Sequence, residues 1–548
     1  MMRSLCGTVC FTLTTCVLGA TSATADTYPR QPAVDVLHYR FALALDDAKD
    51  ELSGTAAIDV RFVRDGATSL WLDLVGVDAA TGKGMRVESV TSGGDAVPFV
   101  HEGDRLTLRI ASPPGRGDRR RFEVTYRGVP ADAMVIGPNK HGDRTFFTDN
   151  WPNKTRHWLP TIDHPYDKAT CEMVVDAPAH YQVVSNGLLV EETDQPGGRR
   201  RTHWKQSVPI ANWLITLGVA PFAVQHLRTI DGVPIQTWVY RQDRDAGFYD
   251  FAEPTADVLD FFSRRIGSYA YEKLANVQSN SVSGGMESAT AIFYDDDSVS
   301  GTRSVRWRNV IIHEIAHQWF GNAVTERDWD DVWLSEGFAT YFTLLYIEYA
   351  YGRDAFVAGL EDSRRRVLEF DAQRPDYRIV HDNLTDMREV TTSQIYQKGA
   401  WVLHMLRSTV GDDRFWDGIR EYYARFKNGN ASTDDFKRVM EEAGRRDLGW
   451  FFQQWLYRGG VPRVIGRWSY DQSTRSLVID LEQTQPGPPY RLPVDVRITG
   501  ARGVQVEQRE LTARREMFRL AVDGEPLDVV LDPSVRTLAA WHLEKATR

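Results

Sequence analysis

Cysteine is nearly missing from this 548-residue chain: there are four, and Cys6, Cys10 and Cys16 lie close to the start. Basic excess is missing as well, with 65 Lys and Arg against 75 Asp and Glu, so no dominant basic surface is on offer and a nucleic-acid partner is excluded. Beyond the extreme N-terminus no uncharged apolar run approaches the roughly 20 residues that a spanning helix needs, which excludes a polytopic membrane protein. Internal repeats and low-complexity tracts are absent too. What is present is 42% hydrophobic and 11% aromatic residues, ample for packed cores. At roughly 150 residues per domain the length suggests three to four domains.

The first 25 residues stand apart. Arg3 gives a positive start, Leu5 to Gly19 an apolar stretch shorter than a bilayer span, and Ala23-Thr24-Ala25 an A-x-A cleavage signal before Asp26. This pattern predicts a cleaved secretory signal and hence an exported protein, periplasmic or extracellular, with no membrane span after cleavage. Cleavage would leave Cys171 as the single cysteine, so no intramolecular disulfide is expected. Its neighbours Met173, Val174 and Val175 read as a buried strand, and Cys171 as an inert core residue.

The remaining pattern predicts a multidomain α+β chain. Residues 26–224 form an N-terminal β domain, with period-two apolar series such as Tyr39, Phe41, Leu43 and Leu106, Leu108, Ile110, punctuated by Gly- and Pro-rich turns. Stacked antiparallel sheets are expected there. Residues 225–460 form a mainly α domain, where Val258, Leu259, Phe262 and Ile266 take up helical spacing. Strand patterns return over residues 461–548, for example in Ser476 to Glu482 and Val494 to Ile498, as a terminal β domain.

The chemistry is concentrated in His313-Glu314-Ile315-Ala316-His317. In a helix the i, i+4 spacing puts both imidazoles on one face, where neutral nitrogen suits zinc. A catalytic site needs a third protein ligand and an open position. Glu336, at the start of the next predicted helix, is the candidate. A structural zinc site fits less well, because closed sites are usually rich in cysteine.

With these residues the sequence resembles the M1 family of zinc metallopeptidases, the gluzincin aminopeptidases that include leukotriene A4 hydrolase. Gly284-Gly285-Met286-Glu287-Ser288 is similar to the family's G-x-M-E-N exopeptidase strand, and Tyr396-Gln397-Lys398-Gly399-Ala400 to its Y-x-K-G-A segment. The resemblance implies an N-terminal β saddle, a thermolysin-like catalytic domain and a C-terminal β sandwich, without the large helical C-terminal domain of many relatives, and so a more open cleft. It implies one Zn²⁺ on His313, His317 and Glu336, and a zinc-activated water with Glu314 as general base. Tyr396 would stabilise the oxyanion, and Glu287 would pair with the free α-ammonium of a peptide. Gly284 and Gly285 would let substrate add as a strand, and Met286 would either line the pocket for the first side chain or pack in the core. Ser288 departs from the family's Asn. Trp151 stands where relatives often carry a Glu or Gln that helps hold the amine, with Asp149 as a substitute. Three readings stay open: an aminopeptidase, a zinc hydrolase acting on internal bonds or non-peptide substrates, and a catalytically silent zinc-binding protein. Oligomeric state is not encoded legibly.

Overall fold

The computed structural model describes residues 26–546; the expected export signal, residues 1–25, lies outside the described residues. The N-terminal part is β-rich. Its largest sheet has eight strands, with Val34–Ala44 near the middle, antiparallel to Leu52–Phe62 on one side and parallel to Lys168–Pro178 on the other. Tyr39, Phe41 and Leu43 are buried while Arg40 between them is exposed, as a half-covered strand requires. A register shift between Val36 and His38 moves the inward phase by one residue, so Val36 and Tyr39 both face the core.

The parallel pair corrects the expectation of purely antiparallel sheets. Residues 45–167 separate the two strands, so no hairpin forces them to run in opposite directions. A four-stranded sheet, in the order Gln182–Ser185, Leu217–Ala220, Arg144–Thr148, Met134–Pro138, carries the chain to Asp149 and Trp151 at the edge of the central cleft.

The expected boundary after residue 224 falls inside a strand. Phe222–Ile230 pairs with Val233–Tyr240 and opens a five-stranded sheet that continues through Leu274–Ser279, Ala291–Asp295 and, at its edge, Gly285–Met286. Helices then dominate: α1 (Arg244–Arg265), α2 (Val305–His317), α3 (Trp333–Tyr351), α4 (Arg353–Gln373) and α5 (Gly399–Val410). Helix α3 is apolar nearly all round and buried along most of its length, the signature of a core helix. It packs against α2, α4 and α5 and thereby brings the second and third site motifs to the first.

The C-terminal part forms two more sheets. Arg463–Asp471 lies between Ser476–Gln483, antiparallel, and Ala540–Lys545, parallel; Leu492–Gly500 lies between Gly503–Leu511 and Asp528–Leu531. Leu477, Ile479 and Leu481 from the first and Val494, Val496 and Ile498 from the second are buried at alternate positions. Among the described residues no helix is long and apolar enough to cross a membrane.

Candidate metal centre and substrate cleft

Helix α2 presents His313 and His317 one turn apart, and the first turn of α3 presents Glu336. Their ligand atoms converge. His313 Nε2 lies 3.0 Å from His317 Nε2, and Glu336 Oε2 lies 3.3 Å and 3.2 Å from these two nitrogens. Four-coordinate zinc at about 2.0–2.1 Å from nitrogen sets neighbouring ligand atoms roughly 3.3 Å apart, so this triangle fits the ion. The tautomer fits as well. His317 Nδ1 donates to the Phe320 carbonyl at 3.1 Å, with Ser335 Oγ also 3.1 Å away. A carbonyl can only accept, so Nδ1 carries the proton and Nε2 offers its lone pair to the triangle. The His317 Nε2 lone pair and a buried carboxylate oxygen, both within 3.3 Å of His313 Nε2, make a donor set that suits a cation.

The field agrees. Burial pushes the His317 imidazolium down, but the Glu287 and Glu336 carboxylates overcome it and raise its proton affinity to about 10. Burial pushes the Glu287 carboxyl up to about 7 against the pull of His317, and Glu314 is likewise raised by burial and then by Glu287. Positive charge is what this site lacks on its own.

Glu314 sits beside the triangle without joining it, and Gly285 makes that placement feasible. A Cβ on residue 285 would meet Glu314 Cγ and Oε1 at 2.3 Å. The strand Gly285–Met286 occupies the edge of its sheet, paired on one side to Tyr294 and Phe293, so its other side faces the cleft. Met286 is buried yet lines the same cleft. The Glu287 carbonyl accepts from Gln318 Nε2 at 2.9 Å and Asn322 Nδ2 at 2.6 Å, which ties this strand to the end of the histidine helix. Glu287 is 5% exposed, and its Oε1, 3.9 Å from His317 Nδ1, has no hydrogen-bond partner.

Tyr396 comes from a π-type turn, Gln394–Lys398, that leads into α5. Its ring lies parallel to that of His313, with centroids 6.0 Å apart and an angle of 10°. Burial, then Glu336 and Glu287, hold its phenol protonated well beyond the usual range, which makes it a donor. Gly399 on this segment and Gly337 on α3 touch backbone to backbone, a Cβ on either one coming within 3.0 Å of the other.

All nine residues singled out in the sequence therefore border one cleft of about 980 Å³: His313, Glu314, His317, Glu336, Gly284, Gly285, Met286, Glu287 and Tyr396. Asp149 and Trp151 border it too. The Trp151 ring packs edge-on against Trp213 and Trp329, at 4.8 Å and 5.3 Å between centroids. Sequence reasoning missed Gln318, Asn322 and Ser335, whose amides and hydroxyl carry no spacing signature; only their adjacency to the two metal motifs pointed to them.

Known proteins match this arrangement. The Peptidase family M1 domain matches residues 251–455 and the Peptidase M1 N-terminal domain residues 36–214. Glutamyl aminopeptidase of Bos taurus is 31% identical over 330 residues, 58% of this chain and 34% of that protein. Aminopeptidase A of Gloydius brevicauda is 26% identical over 453 residues, 78% of this chain and 47% of that protein. The chain thus spans about a third to a half of the length of these curated relatives. The crystal structure of an M1 zinc metallopeptidase from Deinococcus radiodurans, 26% identical, superposes with a TM-score of 0.65 over 75% of this chain and 92% of that one. Matched by M1 models in both its β-rich and its helical part, and by a solved M1 structure over most of that structure's length, the chain belongs to peptidase family M1.

Proposed function

We propose that this chain is an exported zinc aminopeptidase that removes the first residue from peptides with a free N-terminus. The observation that carries the reading is Glu287: a buried carboxylate with an unpartnered oxygen, next to a ligand triangle of zinc dimensions, on a strand open to the cleft. A free α-ammonium satisfies that oxygen and fixes the first peptide bond at the metal; a blocked amine leaves it unpaired at a cost of several kcal/mol. The A-x-A pattern ending at Ala25 supports export to the periplasm or cell exterior, and the two terminal sheets support a C-terminal β sandwich in a three-domain chain.

In this reading His313 Nε2, His317 Nε2 and Glu336 Oε2 hold one Zn²⁺. Bound there, zinc supplies a Lewis acid that makes water nucleophilic at neutral pH. Glu314 takes the proton of the attacking water on its carboxylate and passes it to the leaving amine nitrogen. Tyr396 Oη donates to the carbonyl oxygen as negative charge develops there. Glu287 holds the ammonium, and the edge Gly285–Met286 aligns the peptide backbone.

Asp149, Trp151 and Met286 border the cleft together with Arg308 and Arg366. The preferred first residue is read directly from a panel of aminoacyl substrates.

The test is hydrolysis of aminoacyl fluorogenic substrates beside their N-acetyl counterparts, with zinc-loaded protein and a Glu314→Gln control. Turnover of the free-amine set alone, lost in the control, supports the reading. Turnover of blocked substrates would instead assign a zinc hydrolase acting on internal bonds, and silence on every substrate a zinc-binding protein without peptidase activity.

A further inference from the structure

The steps above leave one buried charge beside Tyr396 unused. Lys398 closes the π-type turn that carries the tyrosine and is 1% exposed. Its ammonium donates to the Gly460 carbonyl at 3.0 Å. The carboxylate acting on it is Asp371 of α4, which itself accepts from Arg463 Nη2 at 3.2 Å. Burying an ammonium with so few partners is costly, and a Met would fill the same space without that cost. What the ammonium adds is reach.

Gly460 lies beyond the last helix of the catalytic region, on the stretch that leads into the C-terminal strand Arg463–Asp471. That stretch is held from its far side. Tyr490 Oη donates to the Gly459 carbonyl at 3.1 Å, and the Arg458 guanidinium lies 3.9 Å from the Tyr490 ring centroid. A continuous path therefore runs from Tyr490 in the C-terminal β region through Gly459 and Gly460 to Lys398. The turn is also stopped by the close contact of Gly399 with Gly337, the residue after Glu336. A π-type turn is a rare helical form that recurs at functional sites and depends on its surroundings for support. Here one support comes from the metal-ligand helix and the other from the C-terminal β region.

We infer that Lys398 is a positioning residue for Tyr396: its bond to the Gly460 carbonyl holds the phenol at the distance from the metal triangle that turnover needs. The C-terminal β region thereby takes part in catalysis without touching substrate. The inference rests on the reading of Tyr396 as oxyanion donor.

The test is a set of double-mutant cycles on the full zinc-loaded chain: Lys398→Met and Tyr490→Phe, each alone and combined with Tyr396→Phe. A shift of about 1 Å in a reacting group costs on the order of 10²-fold. Lys398→Met is expected to lower kcat on that scale with KM and zinc content unchanged, and Lys398→Arg to recover part of the loss. In the Tyr396→Phe background Lys398→Met should change nothing further, because its route of action is already gone. A readout independent of turnover is the affinity for a phosphinic peptide with a tetrahedral centre. It should fall in Lys398→Met in step with kcat/KM, while affinity for the product amino acid stays the same. Tyr490→Phe removes one hydroxyl at the far end of the path, and a smaller loss in the same direction, again absent beside Tyr396→Phe, tests the path should Lys398→Met not fold. Wild-type kcat in both variants, or losses that multiply with that of Tyr396→Phe, would overturn the inference. Wild-type turnover in Tyr396→Phe alone would overturn the underlying role of the tyrosine instead.

Discussion

In the proposed mechanism Glu314 must stand next to the metal without becoming its ligand, and the missing side chain of Gly285 leaves room for that separation. The carboxylate of Glu314 occupies the volume a Cβ would take, so Gly285→Ala must move Glu314, the strand, or both. We expect this variant to keep its zinc and lose on the order of 10²-fold in kcat, a contrast read from metal content beside steady-state kinetics. Ser335 and the Phe320 carbonyl fix the ring of His317 in the same indirect way. Ser335→Ala should weaken zinc binding by about 10- to 100-fold in chelator competition while leaving turnover at saturating zinc largely intact. His313 and His317 were legible in the sequence because residue type and helical spacing coincide there, Glu314 because it falls inside the same motif, and Glu336 because it is a carboxylate at the start of the next helical stretch. Ser335, Gln318 and Asn322 were not, since a hydroxyl or amide means nothing until the tertiary structure shows what it faces.

At the scale of elements the same contrast holds. Helices α2 and α3 followed from periodicity and motif, whereas Leu274–Ser279 and most of Ala291–Asp295, buried on both faces, show no alternation for a sequence reading to find. The π-type turn left no trace either, because its wider coil is imposed by the packing of its neighbours. Helix α5 carries a further element-level contact: His404 Nε2 donates to the Val535 carbonyl at 2.9 Å, joining the helix to the C-terminal part. Burial holds this imidazole down to about 3, against the support of that carbonyl. Unfolded, the same group titrates near about 6.5. Between these values the unfolded chain binds a proton that the folded chain refuses, so the contribution of His404 is complete above about pH 6.5 and is lost as pH falls toward 3. Calorimetric melts should therefore show a shallower loss of melting temperature between pH 7 and pH 4 for His404→Gln than for the unaltered protein; equal slopes would remove His404 from the acid response.

Over the whole molecule the site is held where the parts interlock. Lys168 of the large N-terminal sheet donates to the carbonyls of Asn322, Ala323 and Gly429, directly behind the metal helix, and Asp26 accepts from the backbone of Trp329. Glu287, Glu314 and Glu336 crowd His317 in the middle of this assembly, so without a cation protons taken up by His317 and these carboxylates must balance the buried charge. Chelation should lower the melting temperature and added zinc restore it, since an ion at a thousand times its Kd stabilises the folded state by about 4 kcal/mol. A chelator-insensitive melt would contradict a metal of that affinity at the triangle. The large sheet carries its own consequence for how the chain is made. Its two groups of strands meet only along Val34–Ala44 and Lys168–Pro178, so the apolar edge of the first, with Tyr39, Phe41 and Leu43, has no neighbour until synthesis has passed residue 178. Pairing at such sequence separation is slow, and an unpaired edge invites intermolecular association. Nascent chains that stop short of this point should be the aggregation-prone species, and those that extend past it the ones that resist protease.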